Sequence, residues 1–200
     1  MYTLIGSLKT RAVRVLWCLE ELGVAYDLLD AAPRSPEMIA ANPSGKSPAL
    51  KVGDDIIIDS AAICTFLADK HKALTHAPGT IARAKQDSIM HFALDELDGV
   101  CWTAAKHRFV LPEEHRVGGV EAACAFEFER SLGLLERRLA DQTHMAGDDF
   151  TIADIFVVHC ANWAQNMFGW PIPEGPLSDY LSRVRARPAY LKAMEIREAS

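Results

Sequence analysis

Three short segments in the first third of the chain carry residue types that can hold a small ligand and change its reactivity. Ser7 follows the apolar run Tyr2-Thr3-Leu4-Ile5 and precedes a helical pattern that begins near Thr10. A hydroxyl at a helix start can donate a hydrogen bond to a ligand anion, and the helix dipole favours negative charge there. A thiol is well suited to such a donor. With a pKa of about 8.5 it is roughly 3% ionised at neutral pH, and lowering that value by ~2 units takes ~2.7 kcal/mol and makes the thiolate dominant. The alternative is that Ser7 merely caps the helix.

The second segment is Gly45-Lys46-Ser47-Pro48-Ala49-Leu50, where a proline stands at the entry to a β-type run. Proline cannot donate to a sheet ladder, so it belongs at a strand edge or start. If its bond is cis, it turns the Ser47 N–H and C=O outward for an extended ligand; an ordinary trans proline is the alternative. The third segment is Asp59-Ser60, at the start of a helix. Free N–H groups and a hydroxyl there suit a carboxylate, and Asp59 beside them suits an ammonium group. The two together fit the α-amino acid end of a ligand. Ser60 acting only as an N-cap is again the plainer reading.

These segments are positioned by an ordered set of elements. Tyr2 to Ile5 reads as a strand, and Thr10 to Leu22 as a helix closed by Gly23. Ala25 to Leu29 reads as a second strand, and Ser35-Pro36 opens a short helix that Asn42-Pro43 ends. Ala49 to Val52 and Ile56 to Ile58 form a hairpin through Gly53-Asp54-Asp55, and a helix capped by Ser60 runs to about Lys72. The first strand–helix–strand calls for a parallel pair and the hairpin for an antiparallel one. A four-stranded mixed sheet with helices on both faces follows.

The chain changes character near residue 75. Beyond a connector containing Pro78 and Gly79, everything reads helical: Thr80 to about Val110, Val120 to Ala140, Thr151 to Gln165, Ser178 to Arg185, and a last helix after Pro188. Thr151 and Asp154 are spaced as a capping box, and Phe150 and Ile155 as a hydrophobic staple. The fold class is therefore α/β plus all-α, with domains at 1–75 and 81–200.

Composition excludes several functions. Half the 200 residues are apolar and 24% charged, the balance of a soluble globular chain, and the net charge of −6 argues against general nucleic-acid binding. No apolar run reaches the length of a membrane span, and the start has no leader pattern, so a cytoplasmic location is expected. The five cysteines, Cys18, Cys64, Cys101, Cys124 and Cys160, form no CxxC and read as buried reduced thiols. The seven histidines show no metal-binding spacing, so no metal is expected.

The order and spacing of the motifs resemble a known family. Asn42-Pro43-Ser44-Gly45-Lys46-Ser47-Pro48-Ala49-Leu50, followed by Asp59-Ser60 and Ala62-Ile63, resembles the glutathione-site signature of cytosolic glutathione transferases. Arg11 to Trp17 with Leu19 to Gly23 resembles their first helix. Phe150 to Asp154 resembles their capping motif, and Arg187-Pro188-Ala189-Tyr190 the late-helix pattern of bacterial members.

The resemblance implies a thioredoxin-like N-terminal domain, a helical C-terminal domain, a two-fold homodimer, and an active site at the domain cleft of a serine-class type. It implies a cis Pro48, a Ser47 backbone paired with the cysteinyl part of glutathione, Asp59 and Ser60 on its γ-glutamyl end, and Lys46 on its glycyl carboxylate. Ser7 falls where serine-type classes place the thiol-activating hydroxyl, with Thr10, which also reads as the N-cap of the first helix, as a rival. Asp87 resembles a position that reaches the partner's ligand in some members. Lys9 stands where the cysteine-type class keeps its cysteine. Trp102, Ala105, His107, Arg108 and Trp163 are candidates to line an acceptor pocket between the sheet domain and the first long helix after the linker, with packing roles as the alternative.

The expected activity is attack of bound glutathione, the co-substrate, on a small electrophile or a peroxide. A non-catalytic binding or regulatory module on the same scaffold is the alternative. Disulfide exchange lacks a cysteine near residues 7 to 11.

Overall fold

The hydrophobic pattern of the first 75 residues builds a four-stranded sheet in the order β2-β1-β3-β4, where β1 is Tyr2–Ile5, β2 Tyr26–Leu29, β3 Ala49–Val52 and β4 Asp55–Ile58. The computed structural model describes residues 1–200. β1 and β2 run parallel across helix α1 (Ala12–Leu22), while β1–β3 and β3–β4 are antiparallel. This is the thioredoxin-like arrangement that the resemblance implies.

Helix α1 is buried along most of its length, and it ends where Gly23 takes the left-handed conformation (φ 62°) that a side chain disfavours. Helix α2 (Pro36–Ala41) starts with proline in its first turn, and Ser35 Oγ accepts from the Met38 N–H at 3.2 Å. Helix α3 (Ser60–His71) packs on α1. Leu4, Leu16, Leu19, Leu50, Ile63 and Leu67 are fully buried in this layer.

The second half is helical throughout: α4 (Ile81–Phe92), α5 (Gly99–Ala105), α6 (Val120–Arg138), α7 (Ile152–Trp163), α8 (Pro176–Arg185) and α9 (Pro188–Glu198). The long helix expected over Thr80 to Val110 is a single run with two π turns, Ala93–Asp98 and Lys106–Val110. A third, Ala164–Phe168, extends α7. Helix α7 is buried on all sides from Ile152 to Val158, as a central helix must be.

The contacts divide the chain into two compact units, Met1–Pro78 with Arg185–Ser200, and Gly79–Val184. The last helix, expected in a helical domain spanning 81–200, is instead part of the sheet unit. It packs on α1. The Arg187 guanidinium meets Glu21 through two bonds of 2.7 Å, and Lys192 Nζ lies 2.8 Å from Glu20. Trp17 and Tyr190 meet edge to face with centroids 4.9 Å apart. The acidic pair at the end of α1, its side chains only 7% exposed, selects the basic face of α9.

Candidate functional site

The strand register brings the three chemistry-bearing segments together. Ile5 at the end of β1 is paired with Ala49 at the start of β3, and Ala49 is paired with Ile58 at the end of β4. Ser7, Ser47-Pro48 and Asp59-Ser60 therefore all emerge at one end of the sheet.

The first turn approaches the second closely. A Cβ on Gly6, which lies at φ 141°, would stand 2.1 Å from Ser47 Oγ, so a side chain there would collide with the Ser47 hydroxyl. Ser7 is half-buried, and its hydroxyl oxygen receives only a 3.4 Å bond from the Lys9 N–H. Its carbonyl accepts from the Thr10 N–H at 3.0 Å and from Thr10 Oγ1 at 2.7 Å. The expected N-cap role of Thr10 is displaced by one position. Arg11 occupies the cap with no side-chain bond, and the Thr10 hydroxyl accepts from the Ala12 N–H at 3.3 Å while also lying 2.9 Å from Ser47 Oγ.

The loop before β3 is pinned from within. Buried Asn42 donates from Nδ2 to the Lys46 carbonyl at 2.7 Å and accepts at Oδ1 from the Ser44 N–H and hydroxyl at 3.1 and 2.9 Å. Gly45 accepts at its carbonyl from the Arg34 N–H at 2.9 Å. The Ser47–Pro48 bond is cis. Pro48 is buried, Lys46 is exposed, and the Ser47 N–H and C=O enter no backbone hydrogen bond.

At the third segment the cap is Asp59, not Ser60. Asp59 sits at φ 73°, an uncommon conformation for a residue with a side chain, and its Oδ1 accepts from the Ala61 and Ala62 N–H groups at 2.8 and 3.1 Å. Ser60 is the first helical residue, 3% exposed, with its hydroxyl accepting from Arg14 Nη1 at 3.3 Å. The cap choice follows reach: from the residue before the helix, a carboxylate meets the second and third N–H groups. The Ser60 N–H is left over, beside a carboxylate with one oxygen engaged.

Arg14 and Gly6 are the residues that the sequence reading passed over. Arg14 is 1% exposed in the midst of Ala12, Val13, Val15 and Leu16. A cation on the core face of an apolar helix signals a buried polar partner, and here that partner includes Ser60.

The candidates in the second half are not gathered in the same way. Ala105 is fully buried and packs in the core. Arg108 donates to the Met167 carbonyl at 2.7 Å, and His107 Nδ1 accepts from the Val117 N–H at 3.1 Å. Trp102 and Trp163 are half-buried. Asp87 accepts from Arg83 Nε at 2.8 Å within α4. All five cysteines are free and buried, and hydrogen bonding to Cys64, together with burial, pushes the Cys18 thiol well up. No group of three or more His, Cys, Asp or Glu is placed to hold a metal.

Comparison with known proteins gives consistent matches along the chain. Residues 10–70 match the family model for "Glutathione S-transferase, N-terminal domain", and residues 119–191 match that for "Glutathione S-transferase, C-terminal domain". Glutathione S-transferase 3 of Zea mays is 30% identical over 159 residues, covering 74% of this chain and 70% of its own. Glutathione S-transferase GstB of Escherichia coli K12 is 28% identical, covering 98% and 99%. Among solved structures, a theta-class glutathione S-transferase from Xanthomonas axonopodis pv. citri with glutathione bound superposes with a TM-score of 0.78 at 27% identity, covering 96% of both chains.

Proposed function

This chain belongs to the glutathione S-transferase family, and we propose that it is a glutathione transferase that holds the tripeptide at the exposed end of the sheet and ionises its thiol for attack on an electrophilic carbon or a peroxide. The convergence of Ile5, Ala49 and Ile58 on one register carries the reading, because it gives three separate recognition segments a common edge.

In this reading the Asp59 carboxylate takes the γ-glutamyl ammonium group, and the Ser60 N–H takes the neighbouring carboxylate at the mouth of α3. The Ser60 hydroxyl, bonded to Arg14, fixes the first turn of α3. The Ser47 N–H and C=O pair with the cysteinyl unit as an added strand would. Lys46 meets the glycyl carboxylate. Ser7 donates a hydrogen bond from its hydroxyl to the sulfur and keeps its proton, the thiol proton leaves to solvent, and the thiolate so stabilised attacks the substrate. The domain assignment of 1–75 for glutathione and 81–200 for the helical half belongs to the same proposal, with α9 returning to brace α1. A cytoplasmic homodimer acting on small foreign electrophiles completes it; no helix is long and apolar enough to cross a membrane.

Calorimetry with glutathione and a conjugation assay with a generic aryl halide test the proposal. Binding in the millimolar range or tighter and measurable turnover are expected, and absence of binding at millimolar glutathione overturns it. Ser7→Ala should keep glutathione affinity within about threefold and lower kcat by about 10²-fold or more, the cost of one oriented donor to a developing anion.

A further inference from the structure

The hydroxyl pair between Thr10 and Ser47 spans 37 positions of sequence at the centre of the proposed site. Thr10 Oγ1 has three polar neighbours: the Ser7 carbonyl at 2.7 Å, the Ala12 N–H at 3.3 Å and Ser47 Oγ at 2.9 Å. A threonine hydroxyl offers one proton and two acceptor sites. A carbonyl can only accept, so the Thr10 proton is committed to Ser7. The Ala12 N–H can only donate, so it takes one acceptor site. Ser47 must then be the donor in the pair. The proton order is fixed as Ser47 Oγ–H to Thr10 Oγ1, and Thr10 Oγ1–H to the Ser7 carbonyl.

We infer that Thr10 is a positioning residue whose hydroxyl ties the Ser7 turn to Ser47, and so sets the distance between the thiol-activating hydroxyl and the backbone edge that receives the cysteinyl unit. The inference rests on the glutathione reading of the site. It also separates the two rival hydroxyls. Thr10 has spent its proton, whereas Ser7 Oγ is met only by the Lys9 N–H as a donor and keeps its own proton for the sulfur.

Four variants of the full chain test this: Thr10→Val, Thr10→Ser, Ser47→Ala and the double variant Thr10→Val/Ser47→Ala. Each is read for glutathione Kd by calorimetry, for KM and kcat, and for the pKa of bound glutathione from its ultraviolet thiolate band. Thr10→Val should raise Kd and KM for glutathione by about tenfold, equivalent to about 1.4 kcal/mol. Thr10→Ser should return both to within about twofold of the parent. Ser47→Ala should resemble Thr10→Val, and the double variant should be no worse than either alone, as expected for two ends of one bond. The bound-thiol pKa should rise only part of the way toward that of the free thiol, because the Ser7 hydroxyl is displaced but not removed.

If Thr10→Val leaves Kd unchanged and lifts the bound-thiol pKa all the way to that of the free thiol, Thr10 is the activator and the inference is overturned. Additive losses, or failure of Thr10→Ser to restore binding, overturn it as well. If the parent protein fails to bind glutathione, the functional reading falls. The tie is then judged by melting temperature alone, where non-additive losses in the same variants uphold it and additive ones reject it.

Discussion

Helix α3 at its N-cap and helix α7 in its first turn each carry an aspartate that accepts from backbone N–H groups, yet the two entrances are finished differently. At α7, Asp154 is fully buried and its carboxylate is saturated: Oδ1 accepts from the Met145 N–H at 3.0 Å and the Tyr180 hydroxyl at 2.7 Å, while Oδ2 accepts from the Thr151 N–H and hydroxyl at 2.8 and 3.2 Å. At α3, Asp59 is exposed, held at positive φ, and engaged through one oxygen. The closed entrance can only stabilise the fold. The open one keeps acceptor capacity and an unspent N–H at a helix mouth, the materials of an anion and ammonium site.

Removing the carboxylate at the closed entrance should have the largest consequence. Asp154→Ala leaves the Met145 N–H, the Thr151 N–H and the Tyr180 hydroxyl without their buried acceptor, at about 1–3 kcal/mol for each unsatisfied group. A total loss of roughly 3–5 kcal/mol is expected, seen as a large fall in melting temperature and in soluble yield. A change near zero would break the comparison, because Asp154 would then be no more structural than Asp59.

The open entrance should respond in the opposite currency. Asparagine caps as well as aspartate and tolerates positive φ, so Asp59→Asn should leave stability within about 0.5 kcal/mol. The charge for the ligand ammonium is lost, however, and glutathione Kd should rise by about ten- to a hundredfold, the range of a charge-assisted hydrogen bond. Calorimetry beside a thermal melt separates the two effects. Equal affinity in the variant would show that Asp59 is a cap and nothing more.

The smallest effect concerns pH. Burial first, and then the charge and hydrogen bond of Asp154, push the Tyr180 hydroxyl well above the ordinary tyrosine value. The folded state therefore holds that proton more tightly than the unfolded chain. The resulting stability is intact below the unfolded value of about 10 and declines as pH rises past it. Tyr180→Phe should cost about 1 kcal/mol at neutral pH and flatten the alkaline decline. Melting temperatures measured from neutral pH to above 10 would check both, and an unchanged alkaline slope would place the sensitivity elsewhere, with Tyr26, whose hydroxyl is also pushed up by burial and Glu20, as the next group to vary.

Much of this was readable before any coordinates. The strands announce themselves by short apolar runs between turn residues, and α1 by its periodicity and its terminal Gly23. The capping spacing of Thr151 and Asp154 is local chemistry that holds wherever the helix lies. The site was legible as three segments because each carries its own signal: a hydroxyl after a strand, a proline before one, and an acid–serine pair at a helix start.

What the residues could not announce was which partner each side chain would choose. Ser60 and Asp59 are both competent caps in sequence. The burial of Arg14 claimed the serine, and reach left the cap to the aspartate. Thr10 looked like an N-cap, and only the approach of Ser47 made it the middle of a hydroxyl chain. The last helix read as one more member of a helical domain until Glu20 and Glu21 drew it onto α1.

The amino-acid sequence by itself determined the elements, their order and the chemical character of the three segments, because backbone preference, capping and apolar periodicity act over a few residues. Only the tertiary structure decided the pairing of Ile5, Ala49 and Ile58 at one edge, the commitment of the Thr10 proton and the return of α9, because each depends on distances between residues far apart along the chain.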